Sequence, residues 1–193
     1  MAAGAVCALL LLAVASWPAV ADESSPLNAI LLVARDGLPD PNFAGSVVLV
    51  LNHVAEGPVG VIVNRPTRIG VPELFPELER LAAVEDKVYF GGPVELGTVW
   101  FLFRASKPPA NAARAFEDVF LSADRDLLLR LLRRKNPMES LRIFVGHSGW
   151  APGQLEAEIG RGDWKLERAE PEAVFKPDVE RPWPERREPE VSI

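Results

Sequence analysis

The sequence predicts an α+β fold: a single compact domain with a coiled mixed or antiparallel β-sheet core and a few short helices. Three observations lead there. Strand-like and helix-like segments interleave irregularly rather than as repeated βα units. Two apolar runs, 46–54 and 59–63, are close enough to form a hairpin. The pattern of one clear amphipathic helix, 123–135, leaves most of the core to strands.

Taken in chain order, residues Ala2 to Ala21 carry no charged side chain and end in the small-x-small site Ala19-Val20-Ala21. Asp22-Glu23-Ser24-Ser25-Pro26 then turns polar, as after a secretory signal peptide cleaved at Ala21. The n-region lacks Lys and Arg, so an uncleaved anchor of about 20 apolar residues and a misassigned start codon are the alternatives. Cleavage predicts an exported protein, periplasmic or secreted; a misassigned start predicts a cytoplasmic one. The expected organisation is a signal peptide or anchor at 1–21, a polar linker at 22–26, one domain at 27–176 and a charged, proline-rich tail at 177–193. Removing the leader leaves roughly 170 residues, enough to bury a sizeable core.

Pro39-Asp40-Pro41-Asn42 is a turn cluster. The run Val47-Val48-Leu49-Val50-Leu51 predicts a strand buried on both faces. Glu56-Gly57-Pro58 turns the chain into the return strand Val59 to Val63, and Asn64-Arg65-Pro66 ends it. A short helix is expected over 72–81, with Pro72 in its first turn and Pro76 distorting it. Strands are expected at 87–90, 98–103 and 116–121. The helix at 123–135 has Ser122 as its expected N-cap and Leu127, Leu128, Leu131 and Leu132 as its buried stripe. Arg133, Arg134 and Lys135 complement its C-terminal dipole, and Asn136-Pro137 stops it. A core strand at 142–145 then meets Gly146-His147-Ser148-Gly149-Trp150, read as a tight turn, with Trp150 packed on the core, into a helix at 152–159 closed by Gly160. Residues 164–166 suit an edge strand. The last dozen residues read as a tail of little order, with Pro182-Trp183-Pro184 forbidding a regular helix.

Composition narrows the function. The chain has 21 Lys and Arg against 27 Asp and Glu, a net charge of −6. That balance disfavours a nucleic-acid footprint, which needs a basic face to displace phosphate counterions. Its single cysteine, Cys7, lies in the leader, so the mature chain can form no disulfide and no thiolate zinc site. Neither a metal nor a cofactor is expected.

Several local patterns carry possible chemistry. Gly146-His147-Ser148-Gly149 hints at a serine hydrolase, but Trp150 stands where a nucleophile elbow needs its final glycine. Sequence-adjacent His147 and Ser148 make no nucleophile–base pair, so a triad would have to recruit His53. His53 itself, at the end of a buried strand, reads first as a hydrogen-bonded core histidine. Gly91 and Gly92, in Tyr89-Phe90-Gly91-Gly92-Pro93, would let a ligand approach exposed backbone N–H groups; a structural turn is the simpler reading. Arg65 can clamp an anion with Asn64 as a neutral donor, near Asp40 and Asn42. The competing reading makes Asp40 and Asn42 turn caps and pairs Arg65 internally.

Leu38-Pro39-Asp40-Pro41-Asn42-Phe43, Ser46-Val47-Val48-Leu49, His53, Gly60-Val61-Ile62-Val63-Asn64-Arg65-Pro66, Tyr89-Phe90-Gly91-Gly92-Pro93-Val94, Arg125-Asp126 and Gly149-Trp150 with Gly153-Gln154-Leu155-Glu156 together resemble the YqgE/AlgH family. The resemblance runs from about Leu27 to Phe175. It implies a compact α+β domain with a strongly coiled sheet and no established enzymatic activity. One branch carries a transcriptional-regulator label, yet the family pattern includes no recognisable DNA-reading helix. This chain departs from the pattern in its leader, in His147-Ser148 where Tyr-Ala is common, and in the prolines that interrupt the expected C-terminal helix near Trp183. The expected function is a non-enzymatic binding or regulatory module that contacts a protein partner or a small ligand. The alternatives are a hydrolase-type enzyme and, third, a transcriptional regulator. Membrane association is expected only if the leader stays uncleaved.

Overall fold

A computed structural model describes residues 29–52 and 57–175. The leader, the linker, His53 and the proline-rich tail lie outside the described residues. Ten strands form one curled sheet in the order β10-β1-β2-β3-β9-β6-β8-β7, with β5 and β4 attached through β9. The strands are β1 (Ala29–Ala34), β2 (Val47–Leu51), β3 (Val59–Ile62), β4 (Pro66–Gly70), β5 (Lys87–Phe90), β6 (Val94–Arg104), β7 (Ala113–Phe116), β8 (Val119–Ser122), β9 (Leu141–Gly149) and β10 (Trp164–Arg168). Four short α-helices join them: α1 (Val71–Leu74), α2 (Arg125–Leu132), α3 (Gln154–Gly160) and α4 (Pro171–Phe175). The pairing is antiparallel apart from β5 against β9. The α+β class with a coiled, mixed sheet is as expected.

All five residues of β2 are buried, at no more than 1% exposure. Such a strand needs apolar cover on both faces, and each Val or Leu contributes about 1.5–3 kcal/mol by leaving water. Leu49 and Leu51 join one apolar cluster, Val48 and Val50 another. β2 and β3 pair antiparallel as anticipated, with Leu51 opposite Val59.

β3 ends at Ile62, ahead of the expected stop at Asn64-Arg65-Pro66, and Pro66 instead opens β4, the first residue of a strand being one place where its missing N–H does no harm. The helix expected over 72–81 splits at Pro76 into α1 and a 3₁₀ turn at Glu79–Leu81. The strand expected at 116–121 is a hairpin instead. Glu117, at φ 43°, turns β7 into β8. Ser122 is not the cap of α2. It ends β8, donating its hydroxyl to Asn111 O and accepting from Asp124 N. Asp124 caps the helix, its Oδ1 accepting from Leu127 N at 2.7 Å. The four expected leucines are its buried stripe. Its C-terminal carbonyls at Arg133 and Arg134 accept from the guanidinium of Arg80 rather than from the neighbouring basic trio.

β9 organises the sheet. Along one edge it pairs first with β5, at Phe144 and Val145, and then with β3, at Ser148 and Gly149; along the other it pairs with β6. The strand expected at 142–145 therefore runs on to Gly149, and His147-Ser148 is strand rather than turn. The change of partner occurs at Gly146, which has φ 67°. A Cβ there would land on Gly92 O, and a Cβ on Gly91 would land on Gly146 O. The two backbones cross so closely that no side chain fits between them.

Helix α3 runs through Gly160, the residue expected to close it, and its left-handed terminator is Gly162, two residues further on. Asp163 N donates to Glu158 O at 3.0 Å and Gly162 N to Ile159 O at 2.9 Å, the paired bonds of a Schellman motif. Gly162, at φ 76°, supplies the left-handed residue. This motif places Glu158 and Asp163 together at the start of β10, which forms the expected edge of the sheet against β1.

Candidate functional site

A cleft of about 620 Å³ opens between the turn after β1 and the α3–β10 junction, within the range of small-molecule sites. Leu38, Pro39, Phe43 and Trp164 give it an apolar lining. Arg35, Arg161, Asp40, Glu158 and Asp163 supply its charges. Residues more than 110 positions apart meet because β10 pairs antiparallel with β1, placing Ala34 opposite Trp164.

The charged groups are ordered by one another. Asp163 is largely buried between two guanidiniums. Arg35 Nε lies 3.4 Å from its Oδ1, and Arg161 reaches its Oδ2 through Nε at 3.1 Å and Nη2 at 2.8 Å. Arg35 N also donates to Asp163 O at 3.0 Å, which ties the two loops together by backbone. Glu158 Oε2 accepts both the Trp150 and the Trp164 indole N–H at 2.9 Å, and its Oε1 accepts from Gln154 Nε2. Phe43 stacks on Trp150, with centroids 5.9 Å apart, and meets Trp164 edge-on at 5.6 Å. The three rings make a solid apolar wall, each pair adding roughly 0.5–1.5 kcal/mol beyond its burial. Trp150 is thus a core anchor, as expected, at 5% exposure.

Four of the expected site residues gather at the turn that carries Phe43. Asp40 Oδ1 accepts from Asn42 N, and Asp40 O accepts from Phe43 N and Ala44 N. Asn64 holds this turn by accepting from Val47 N and donating to Gly45 O. Arg65 donates to Asn42 O at 2.7 Å and Ala44 O at 3.1 Å, with its guanidinium over the Phe90 ring. Burial lowers the Arg65 pKa, against the opposing pull of Asp40. Asp40 lines the cleft; Asn42, Asn64 and Arg65 shape the loop that carries Phe43 into it.

Gly91 and Gly92 lie apart from this wall, buried at the strand crossing. Gly91 N donates to Val145 O, and Gly91 O accepts from Ile62 N and from the Ser148 hydroxyl. Ser148 is fully buried in that bond. The neighbouring His147 packs against Trp100 at 5.2 Å, and burial lowers its pKa, Glu95 pulling the other way.

Sequence reading missed Arg35, Glu158, Arg161 and Asp163. The usable signal was Gly162, a left-handed terminator that brings the residues on either side of it onto one loop. A second hollow of about 450 Å³, lined by Pro58, Val59, Val94 and Trp150 among others, has no charged side chain in its lining among the described residues.

Comparison with known proteins places the chain in a group. A family model described as AlgH-like matches residues 31–188. A UPF0301 protein of Anaeromyxobacter dehalogenans is 38% identical over 172 residues, covering 84% of this chain and 87% of its own. Another, of Streptomyces avermitilis, is 38% identical over 175 residues, covering 84% and 86%. The solution structure of the AlgH protein from Pseudomonas aeruginosa superposes with a TM-score of 0.65 at 28% identity, covering 81% of this chain and 85% of that one. A crystal structure from Corynebacterium diphtheriae gives 0.61 at 26% identity, covering 81% and 83%.

Proposed function

The chain belongs to the AlgH-like family, and from that premise we propose that it is a non-catalytic binding module whose site is the cleft between the β1 turn and the α3–β10 junction. One observation carries this reading: two guanidiniums are held at the cleft by a single buried carboxylate, beside an aromatic wall. Ordered charges on an apolar floor suit recognition of a bound group. The same residues supply no hydroxyl, thiol or amine nucleophile, and the carboxylates of Glu158 and Asp163 are bound to indole, amide and guanidinium donors. The hydrolase alternative draws no support from Ser148, whose hydroxyl is buried and donates to Gly91 O at 3.1 Å. The net charge of −6 weighs against a nucleic-acid regulator. We place the module outside the cytoplasm on the strength of the leader alone; mass spectrometry of the mature chain should then find Asp22 first.

The site is tested by a fragment screen of the ¹⁵N-labelled protein followed by NMR. Hits should move the Trp164 indole signal and the backbone signals of 35–43 and 158–164. Hits that gather elsewhere would reject the cleft. A panel of generic ester and peptide substrates covers the catalytic alternative: turnover that disappears in Ser148→Ala would reject the non-catalytic reading.

A further inference from the structure

Resting on the reading of the cleft as a binding site, we infer that its ligand is a monocarboxylate on an apolar or aromatic body. The argument turns on which polar groups are already spent. Both oxygens of Glu158 hold donors, from Trp150, Trp164 and Gln154. Both oxygens of Asp163 face a guanidinium. The acidic groups of the α3–β10 junction are therefore committed to building the site.

The cations are not spent in the same way. Arg35 comes within 3.4 Å of Asp163 at Nε, and its two terminal nitrogens make no hydrogen bond to the described residues. Arg161 uses Nε and Nη2, leaving Nη1. Each guanidinium is paired with Asp163, Arg35 at Nε and Arg161 at Nε and Nη2, and keeps outer N–H donors, with half or more of its side chain in contact with solvent. Donors of fixed, planar geometry match the two oxygens of a carboxylate. Anchoring also lowers the entropy lost when a ligand arrives.

Charge limits the ligand further. Two arginines face three carboxylates, those of Asp40, Glu158 and Asp163. A polyanion such as a diphosphate would meet that acidic surplus, whereas a single carboxylate needs only the local donors. Asp40 at the rim would repel additional negative charge. Leu38, Pro39, Phe43 and Trp164 remain to cover an apolar body, which an inorganic anion would leave unused.

The carboxylate could belong to a free organic acid or to the C-terminus of a peptide, and the test separates these sources. The full chain is titrated with indole-3-propionate, its amide, tryptamine and inorganic pyrophosphate, and with a hydrophobic tripeptide bearing a free or an amidated C-terminus. The Arg35 and Arg161 Nε–H signals and the Trp164 indole signal are followed by NMR. We expect saturable shifts with the acid and binding at least about tenfold weaker with the amide. The free tripeptide binding more tightly than indole-3-propionate would identify a peptide terminus, and the reverse a free acid; either supports the inference. Arg35→Gln and Arg161→Gln should each weaken the acid by about tenfold, with melting temperatures recorded alongside. The acid–amide comparison on the unaltered protein stands even if a variant unfolds. Equal or tighter binding of the amide, tryptamine or pyrophosphate at the cleft would overturn the carboxylate inference and leave the binding site standing. No shift at the cleft with any probe would overturn both.

Discussion

Replacing Glu158 with alanine removes the oxygen that accepts the indole N–H of both Trp150 and Trp164, each at 2.9 Å. Both rings are 5% exposed, so their N–H groups have little access to replacement water. Leaving one buried donor unpaired costs about 1–3 kcal/mol. The two donors share one acceptor and the cleft admits water beside it, so the costs do not simply add, and we expect about 2–3 kcal/mol in all. For a protein of this size that is a fall of about 5–10 °C in melting temperature. Glu158→Gln keeps an amide oxygen for the indoles and should cost about 1 kcal/mol. Thermal unfolding of the three proteins measures the difference, and the two indole proton resonances report whether the bonds survive. An alanine variant within about 0.5 kcal/mol of the parent would refute the account, because shared acceptance would then contribute nothing to the fold.

The strand crossing gives a second contrast. Gly91→Ala drives a methyl group onto Gly146 O and should cost about 3 kcal/mol, while Ser148→Ala leaves Gly91 O with its bond from Ile62 N and should cost about 1 kcal/mol by denaturant titration. The pH dependence of stability should reveal His147. Burial holds its folded pKa below the usual imidazole value of 6.5, so the unfolded chain takes up the proton first. Its contribution is intact above about pH 6.5 and declines as the pH falls through that value; His147→Gln should flatten this part of the stability curve, and an unchanged slope would contradict the assignment. Asp124→Ala removes the cap of α2 and should cost about 1 kcal/mol, with Asp124→Asn largely sparing it in the same melting series. The Leu127 N–H bond holds the Asp124 carboxyl below its usual 3.8, so the capping advantage should fade in strong acid as the pH drops below that value.

Local rules were sufficient wherever burial and periodicity agreed. The Val47–Leu51 run could only be a strand covered on both faces, and the leucines of α2 had to face inward. Pro76 had to break its helix, because its ring and missing N–H are incompatible with a continued turn. The same kind of rule also predicted that Trp150 would be a core anchor. Residues Asp40, Asn42, Asn64 and Arg65 were legible as a polar group at strand ends, and the fold bonds Asn64 and Arg65, from the β3–β4 connection, to the β1–β2 loop that carries Asp40 and Asn42.

What the sequence determined by itself was the α+β class, the β2–β3 hairpin, the buried stripe of α2 and the family to which the chain belongs. What only the tertiary structure decided was which distant groups meet. Antiparallel pairing of β10 with β1 brings Arg35 to Asp163 across more than 120 residues, and no local periodicity encodes that register. Likewise, the sequence left Gly91 and Gly92 as a structural turn, the simpler reading, or a loop open to a ligand; only the fold shows β9 crossing them at Gly146 and pairing the amide and carbonyl of Gly91. Strand order and partner exchange arise from the joint burial of residues far apart in the chain, so the charges of the cleft acquire their geometry only when the sheet closes around β9.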